Sequence, residues 1–182
     1  LRFFPGKEEY WRLSNQPTIE FDSTLKLTVG SHEFELTYTG GHCRDQICVF
    51  CPQEKIVFCG DTVFRGVQIF FAEADPYIQL KALDFIESLD AEIIVPGHGR
   101  ICGKDTLAEN RMFILEWLGS VELAIGKGWS KAECMDRISF ADRYPMDYGL
   151  DHVLEDLQRA NAGKLYDYLT SSGDGRGYNL FP

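Results

Sequence analysis

Thr39-Gly40-Gly41-His42-Cys43-Arg44-Asp45-Gln46-Ile47-Cys48-Val49-Phe50-Cys51-Pro52-Gln53-Glu54-Lys55-Ile56-Val57-Phe58-Cys59-Gly60-Asp61 is the stretch on which the reading of this chain turns. It reads as a loop bearing a histidine, a strand, a tight turn over 52–55, a second strand, and Gly-Asp. The runs Ile47–Cys51 and Ile56–Cys59 are nearly continuously apolar, which predicts burial on both faces. A companion element follows in Ile93-Ile94-Val95-Pro96-Gly97-His98-Gly99. His42, Asp61 and His98 are each expected where an apolar strand ends in a glycine-bearing loop. Three groups able to bind a metal are therefore predicted on the rim of a sheet, outside its core.

Working outward, Pro17 to Thr39 reads as three short alternating strands: Thr18–Phe21, Leu25–Val29 and Phe34–Tyr38, the last two joined by a turn at Gly30-Ser31. His32, beside that turn, is expected to be exposed and is not counted as a ligand. Residues 62–75 read as a long aromatic loop, a kind of segment that often serves function. Asp75-Pro76 marks a helix start, Asp as N-cap and Pro in the first turn, with the helix running to about Leu89. Glu92–Val95 is a short strand. From Lys104 the chain turns helical, with Leu107, Ile114, Leu118, Val121 and Ile125 on one face until Gly126 and Gly128 stop it. Ser130 with Glu133 forms a capping box for a helix to about Ile138. A long helix is predicted from Asp147 to Thr170, with Leu150, Leu154, Leu157, Leu165 and Tyr168 inward. The aromatic residues of 1–16 suggest a packing segment or a pocket wall.

At 182 residues, 45% hydrophobic and 25% charged, the chain has the makings of one domain with a real core. Its net charge of −10 and lack of a basic stripe argue against a nucleic-acid partner and against a nuclease. No apolar run approaches the roughly 20 residues that span a bilayer, and no signal peptide is read, so no membrane partner is expected. Of the six cysteines, four fall in one short β-rich segment, which predicts reduced thiols and a cytoplasmic location. Cys48 and Cys51 have the spacing of half a zinc knuckle, but no second pair exists to complete it, so they read as strand residues.

Neutral imidazole and ionised carboxylate are good ligands for zinc and iron, and a carboxylate can bridge two ions. Spacing alone leaves His42, Asp61 and His98 open to being ordinary loop residues. Their local words narrow the reading. Gly-Gly-His42, the hairpin ending Gly60-Asp61, and Val-Pro-Gly-His98-Gly resemble the later motifs of the metallo-β-lactamase superfamily, in order, spacing and strand context, over about residues 18–103. The resemblance implies an α/β fold, the second half of an α/β/β/α sandwich, over residues 1–103. A helical extension over 104–172 and a flexible tail over 173–182 would follow. It implies two zinc ions in the intact protein: His42 completing one site, Asp61 bridging both as ligand and catalytic group, and His98 completing the other. It implies a hydrolase in which a metal-bound hydroxide attacks a small-molecule ester, thioester, lactone or similar bond. A thioesterase or lactonase fits the expected location better than a β-lactamase.

The chain departs from the family pattern twice. Cys43-Arg44-Asp45 stands where many members have Thr-Pro-Gly; Cys43 reads as a small residue in the threonine's place or a redox-sensitive neighbour, and Arg44 and Asp45 as groups that orient His42 or meet substrate. The first motif, His-x-His-x-Asp-His, is absent, and the remaining histidine, His152, reads as a surface residue. The chain also opens at Leu1 in what reads as mid-domain sequence. The expected partner is therefore a missing N-terminal half, as a separate segment or chain. The rival readings are a non-catalytic binding or scaffold homologue without a complete metal site, and a di-iron redox member.

Overall fold

The computed structural model describes residues 18–144, 146–147 and 149–171. The aromatic opening segment over 1–16 and the tail expected over 173–182 lie outside the described residues. The alternating segments pair into a meander: β1 (Thr24–Val29), β2 (His32–Tyr38), β3 (Ile47–Cys51) and β4 (Ile56–Phe64) are antiparallel neighbours in chain order. Helix α1 (Pro76–Ser88) then carries the chain to β5 (Ile93–His98), which lies parallel to β4 and completes a five-stranded sheet. A parallel partner needs such a crossover because the chain must return to the strand's starting end. Asp75 caps α1, its carboxylate accepting from the Tyr77 and Ile78 amides at 3.0 Å each.

Two helical expectations hold closely. Helix α2 spans Asp105–Gly126, and α3 spans Lys131–Arg137 behind the Ser130–Glu133 capping box. The long C-terminal helix starts later than its sequence suggests: a 3-10 turn covers Asp151–Val153 and α4 runs from Leu154 to Thr170. Asp147 gives its backbone amide to the Gly66 carbonyl at 2.8 Å instead of opening a helix. Its inner face is also more polar than the leucine pattern indicates, with Gln158, Asn161, Ala162 and Leu165 buried.

Three further expectations are corrected. Thr18–Phe21 forms no strand; it has no ladder partner among the described residues, and Ile19 is left 58% exposed. Strand β4 continues past Asp61 to Phe64, because its second half pairs with β5, Phe64 opposite His98. The aromatic loop is thereby shortened to 65–75. Over residues 47–50 and 56–59 burial alternates, because α1 and α2 cover one face, whereas Cys51 and the run 62–64 are buried without alternation. Side chains directly opposite in a ladder share a face. Cys48, Phe50, Val57, Cys59 and Ile94 lie under the helices and join Leu83, Ile86, Leu107, Ile114, Trp117 and Leu165 in one core. The register puts Leu25, Leu36, Val49, Phe58 and Val95 in a row on the other face, which is apolar across all five strands. There Phe58 is 44% and neighbouring Ile93 38% exposed.

All six cysteines are free thiols. No helix among the described residues is long and apolar enough to cross a membrane.

Candidate functional site

Local backbone chemistry closes the loop that carries His42. The amides of Thr39 and Gly40 both donate to the Gln46 carbonyl, at 3.0 and 2.9 Å. The Gln46 side-chain amide reaches across to the Cys59 carbonyl at 3.1 Å, bracing the loop against β4 just before Gly60-Asp61. From the other side Asp75, the cap of α1, donates its amide to the Gly41 carbonyl at 2.8 Å. A Cβ on Gly41 would stand 2.8 Å from Gln79 Cα, so only glycine lets this turn lie so close to α1.

Asp61 is re-aimed by irregular pairing. The register of β4 on β5 shifts between Phe58 and Gly60 and again between Gly60 and Phe64. Such interruptions redirect a side chain that regular pleating would send elsewhere. Against Gly97, the Asp61 carboxylate lies where a Cβ would be, 2.0 Å from Oδ1. The glycine before His98 thus leaves the volume that the carboxylate fills.

The three predicted residues converge. Oδ2 of Asp61 is 3.6 Å from Nε2 of His42, and Oδ1 is 3.5 Å from Nε2 of His98. The His42 side chain is 20% exposed, Asp61 37% and His98 54%, so the group opens to solvent on the His98 side. Both separations exceed a good hydrogen bond. Two donors on one tetrahedral zinc ion, with bonds of about 2.0–2.1 Å, stand roughly 3.3 Å apart. Each oxygen–imidazole pair therefore fits two donors of one ion, and the carboxylate joins two such pairs. Among the described residues no group of three or more His, Cys, Asp or Glu side chains is placed to hold a metal ion by itself. The arrangement is two half-sets sharing one carboxylate.

Electrostatics favour the ligand form of His42. Burial pushes its pKa below the usual imidazole value, assisted by His98 and opposed by the Asp61 and Glu73 charges. Its Nδ1 is buried without a hydrogen-bond partner among the described residues. A neutral ring with Nε2 facing the carboxylate is the form that binds a cation. Cys43 is half-buried, and burial raises its thiol pKa, so it is not an activated thiolate. Arg44 and Asp45 are exposed, and the Arg44 carbonyl accepts from the Tyr38 hydroxyl at 2.7 Å. His32 pairs with Glu54 at 2.8 Å, and His152 is exposed on the 3-10 turn, so neither joins the group.

Sequence reading missed the packing of Phe64 against the imidazoles, the brace from Gln46 and the room that Gly97 leaves for the Asp61 carboxylate. Phe64 stacks on the His98 ring (centroids 5.2 Å apart, planes at 18°) and also lies 5.7 Å from the His42 ring. Its place in an aromatic run gave no sign of this, because its position follows from the pairing with His98.

The family model of the metallo-beta-lactamase superfamily matches residues 3–98. A hydroxyacylglutathione hydrolase of Francisella tularensis subsp. novicida (strain U112) is 34% identical over 98 residues, 51% of this chain and 39% of the relative. This chain thus spans well under half the length of that relative. Among solved structures, a metallo-beta-lactamase from Pontibacter korlensis superposes with a TM-score of 0.52 at 23% identity, covering 59% of this chain and 54% of the other. The stereoselective inverting sec-alkylsulfatase Pisa1 from Pseudomonas sp. gives 0.59 at 18% identity, covering 90% of this chain and 28% of the other. At these identities the two structures speak for the fold alone, and the second likeness extends into the helical segment beyond residue 103.

Proposed function

The chain belongs to the metallo-beta-lactamase superfamily, and from that premise we propose that it serves metal-dependent hydrolysis of a small-molecule thioester or related acyl bond. His42, Asp61 and His98 are the residues proposed to hold two zinc ions. The observation that carries this reading is the Asp61 carboxylate, with one oxygen turned to each imidazole Nε2. When bound, zinc supplies Lewis acidity toward an acyl oxygen and makes water acidic enough to attack near neutral pH. The residues of this chain do the rest. Burial keeps His42 neutral and ready to ligate. Asp61 would offer one oxygen beside each imidazole, and Gly97 leaves it room. The exposed side at His98 admits substrate, with the loop over 65–75 shaping the approach. The hydroxyacylglutathione hydrolases among the relatives support a thioester as substrate class.

The remaining ligands are assigned to a preceding half of the domain, whose sheet would cover the apolar row Leu25, Leu36, Val49, Phe58 and Val95. An apolar face of this extent, with Phe58 exposed within it, supports an interaction surface. Six free thiols support a reducing, cytoplasmic setting.

The test is made on the full protein. Zinc content and hydrolysis of an S-acyl glutathione are measured for the wild type and for Asp61→Asn. Two zinc ions in the wild type are expected, with loss of at least one in the variant and a fall in activity of more than about 100-fold, beyond the usual effect of an outer-shell change. Equal zinc content and activity in both would remove Asp61 from its bridging role. A wild type with no stoichiometric zinc would favour a binding or scaffold module.

A further inference from the structure

We propose that Asn110, on α2, is a positioning residue for both imidazoles, acting through Phe64; this rests on the reading of His42 and His98 as ligands. Strand β4 loses its β3 partner after Phe58, the last residue of their ladder. Beyond that point the outward-facing backbone groups of β4 need other partners. At Phe64 the Asn110 side chain takes the place of the missing strand. Its Oδ1 accepts from the Phe64 amide at 2.8 Å, and its Nδ2 donates to the Phe64 carbonyl at 2.7 Å. Nδ2 also donates to the Thr106 carbonyl, 2.9 Å away on the preceding turn of α2. Asn110 is 5% exposed, so these bonds have little competition from water.

On its other edge the same segment is bonded to β5, the Arg65 amide donating to the His98 carbonyl at 2.9 Å. The Phe64 ring, held from both sides, stacks on His98 and lies beside His42. One buried amide on a helix therefore fixes the platform against which both imidazoles rest. The hydrogen bonds of Asn110 run to Phe64 and Thr106 and not to either histidine, so the effect passes through the Phe64 segment.

The structure supplies a control in which the same side-chain amide clamps a backbone elsewhere. Asn161, fully buried on α4, accepts from the Phe71 amide at 2.9 Å and donates to the Ile69 carbonyl at 2.8 Å. It clamps the loop over 65–75 without touching the segment paired to His98. A purely structural role would make the two asparagines equivalent.

The experiment uses the full protein carrying Asn110→Leu or Asn161→Leu. The first readout, on zinc-free protein, is the imidazole proton shifts of His42 and His98, which sense the Phe64 ring current. The second is zinc affinity by chelator competition. Asn110→Leu is expected to move both imidazole signals and to weaken zinc about tenfold, the lower end for a residue supporting ligands. Asn161→Leu is expected to leave both readouts within about twofold of wild type while lowering thermal stability comparably. Unchanged signals in Asn110→Leu, or equal changes in the two variants, would overturn the proposal. If Asn110→Leu does not fold, Asn110→Ser replaces it: this smaller variant keeps the Phe64 ring but loses its clamp, must displace both imidazole signals, and wild-type signals would overturn the proposal. A wild type that binds no zinc defeats the ligand reading, and the imidazole shifts then decide the positioning claim by themselves.

Discussion

Gly97→Ala is the substitution in which one added methyl group would meet the Asp61 carboxylate itself. The added Cβ would stand 2.0 Å from Asp61 Oδ1, 2.5 Å from the Gly60 carbonyl carbon and 2.6 Å from the Gly60 oxygen. All three are far inside ordinary contact, about 3.5 Å or more between carbon atoms. The carboxylate can swing away, but the Gly60 backbone cannot move unless β4 parts from β5 at the Gly60–Pro96 pair. Overpacking of this kind costs about 1–3 kcal/mol. At roughly 2–4 °C per kcal/mol for a chain of this size, the melting temperature should fall by about 2–12 °C. The swing of Asp61 also takes Oδ1 away from His98 Nε2, so zinc affinity should fall at least about tenfold. Thermal unfolding and zinc competition on the full protein measure both effects. Gly119→Ala is the control: it lies on the exposed side of α2, its Cβ would meet nothing within 4 Å, and the gain in helix propensity should stabilise by up to about 1 kcal/mol. A Gly97→Ala protein that melts and binds zinc as the wild type does would refute the claim that this glycine makes room for the carboxylate.

Two further outcomes follow from the structure. In the full protein Phe58→Asp should destabilise by about 3 kcal/mol or more, because a covering sheet would bury the new charge, whereas Ile19→Asp should be nearly neutral; a loss below about 0.5 kcal/mol at Phe58, read from denaturant unfolding, would show that the face stays in water. Burial, and then the hydrogen bond to Glu116, push the Tyr144 phenol up to about 12. The folded state thus favours the neutral phenol, so the stability this gives is fully present below the unfolded value of about 10 and is lost as pH rises toward 12. The tyrosinate absorbance difference between wild type and Tyr144→Phe should appear only above the ordinary range, and Glu116→Gln should bring it down. A Tyr144 signal at the ordinary value would sink that account.

Much of the fold was legible because it is local. Alternation set β1 and β2, Pro52–Lys55 set the hairpin, and Asp75-Pro76 and Ser130–Glu133 set two helix starts. These signals act within a few residues, where propensity and capping decide. Thr18–Phe21 alternates equally well but has no partner strand among the described residues, and Asp147 resembles a cap but spends its amide on Gly66. Both depend on neighbours remote in sequence. The inner face of α4 escaped because Gln158 and Asn161 are buried to satisfy distant backbone groups, a need that hydrophobic patterning cannot register.

For the site, the sequence by itself determined the donors: His42, Asp61 and His98 are chemically fit to ligate, and each stands beside glycine. Only the tertiary structure decided that one carboxylate faces both imidazoles, since that depends on two register shifts between β4 and β5. It alone placed Phe64 under the rings and Asn110 behind Phe64, 46 residues away in the chain. The type of a side chain is written in one letter, but its direction is set by backbone pairing across the sheet, and pairing is a property of the assembled fold.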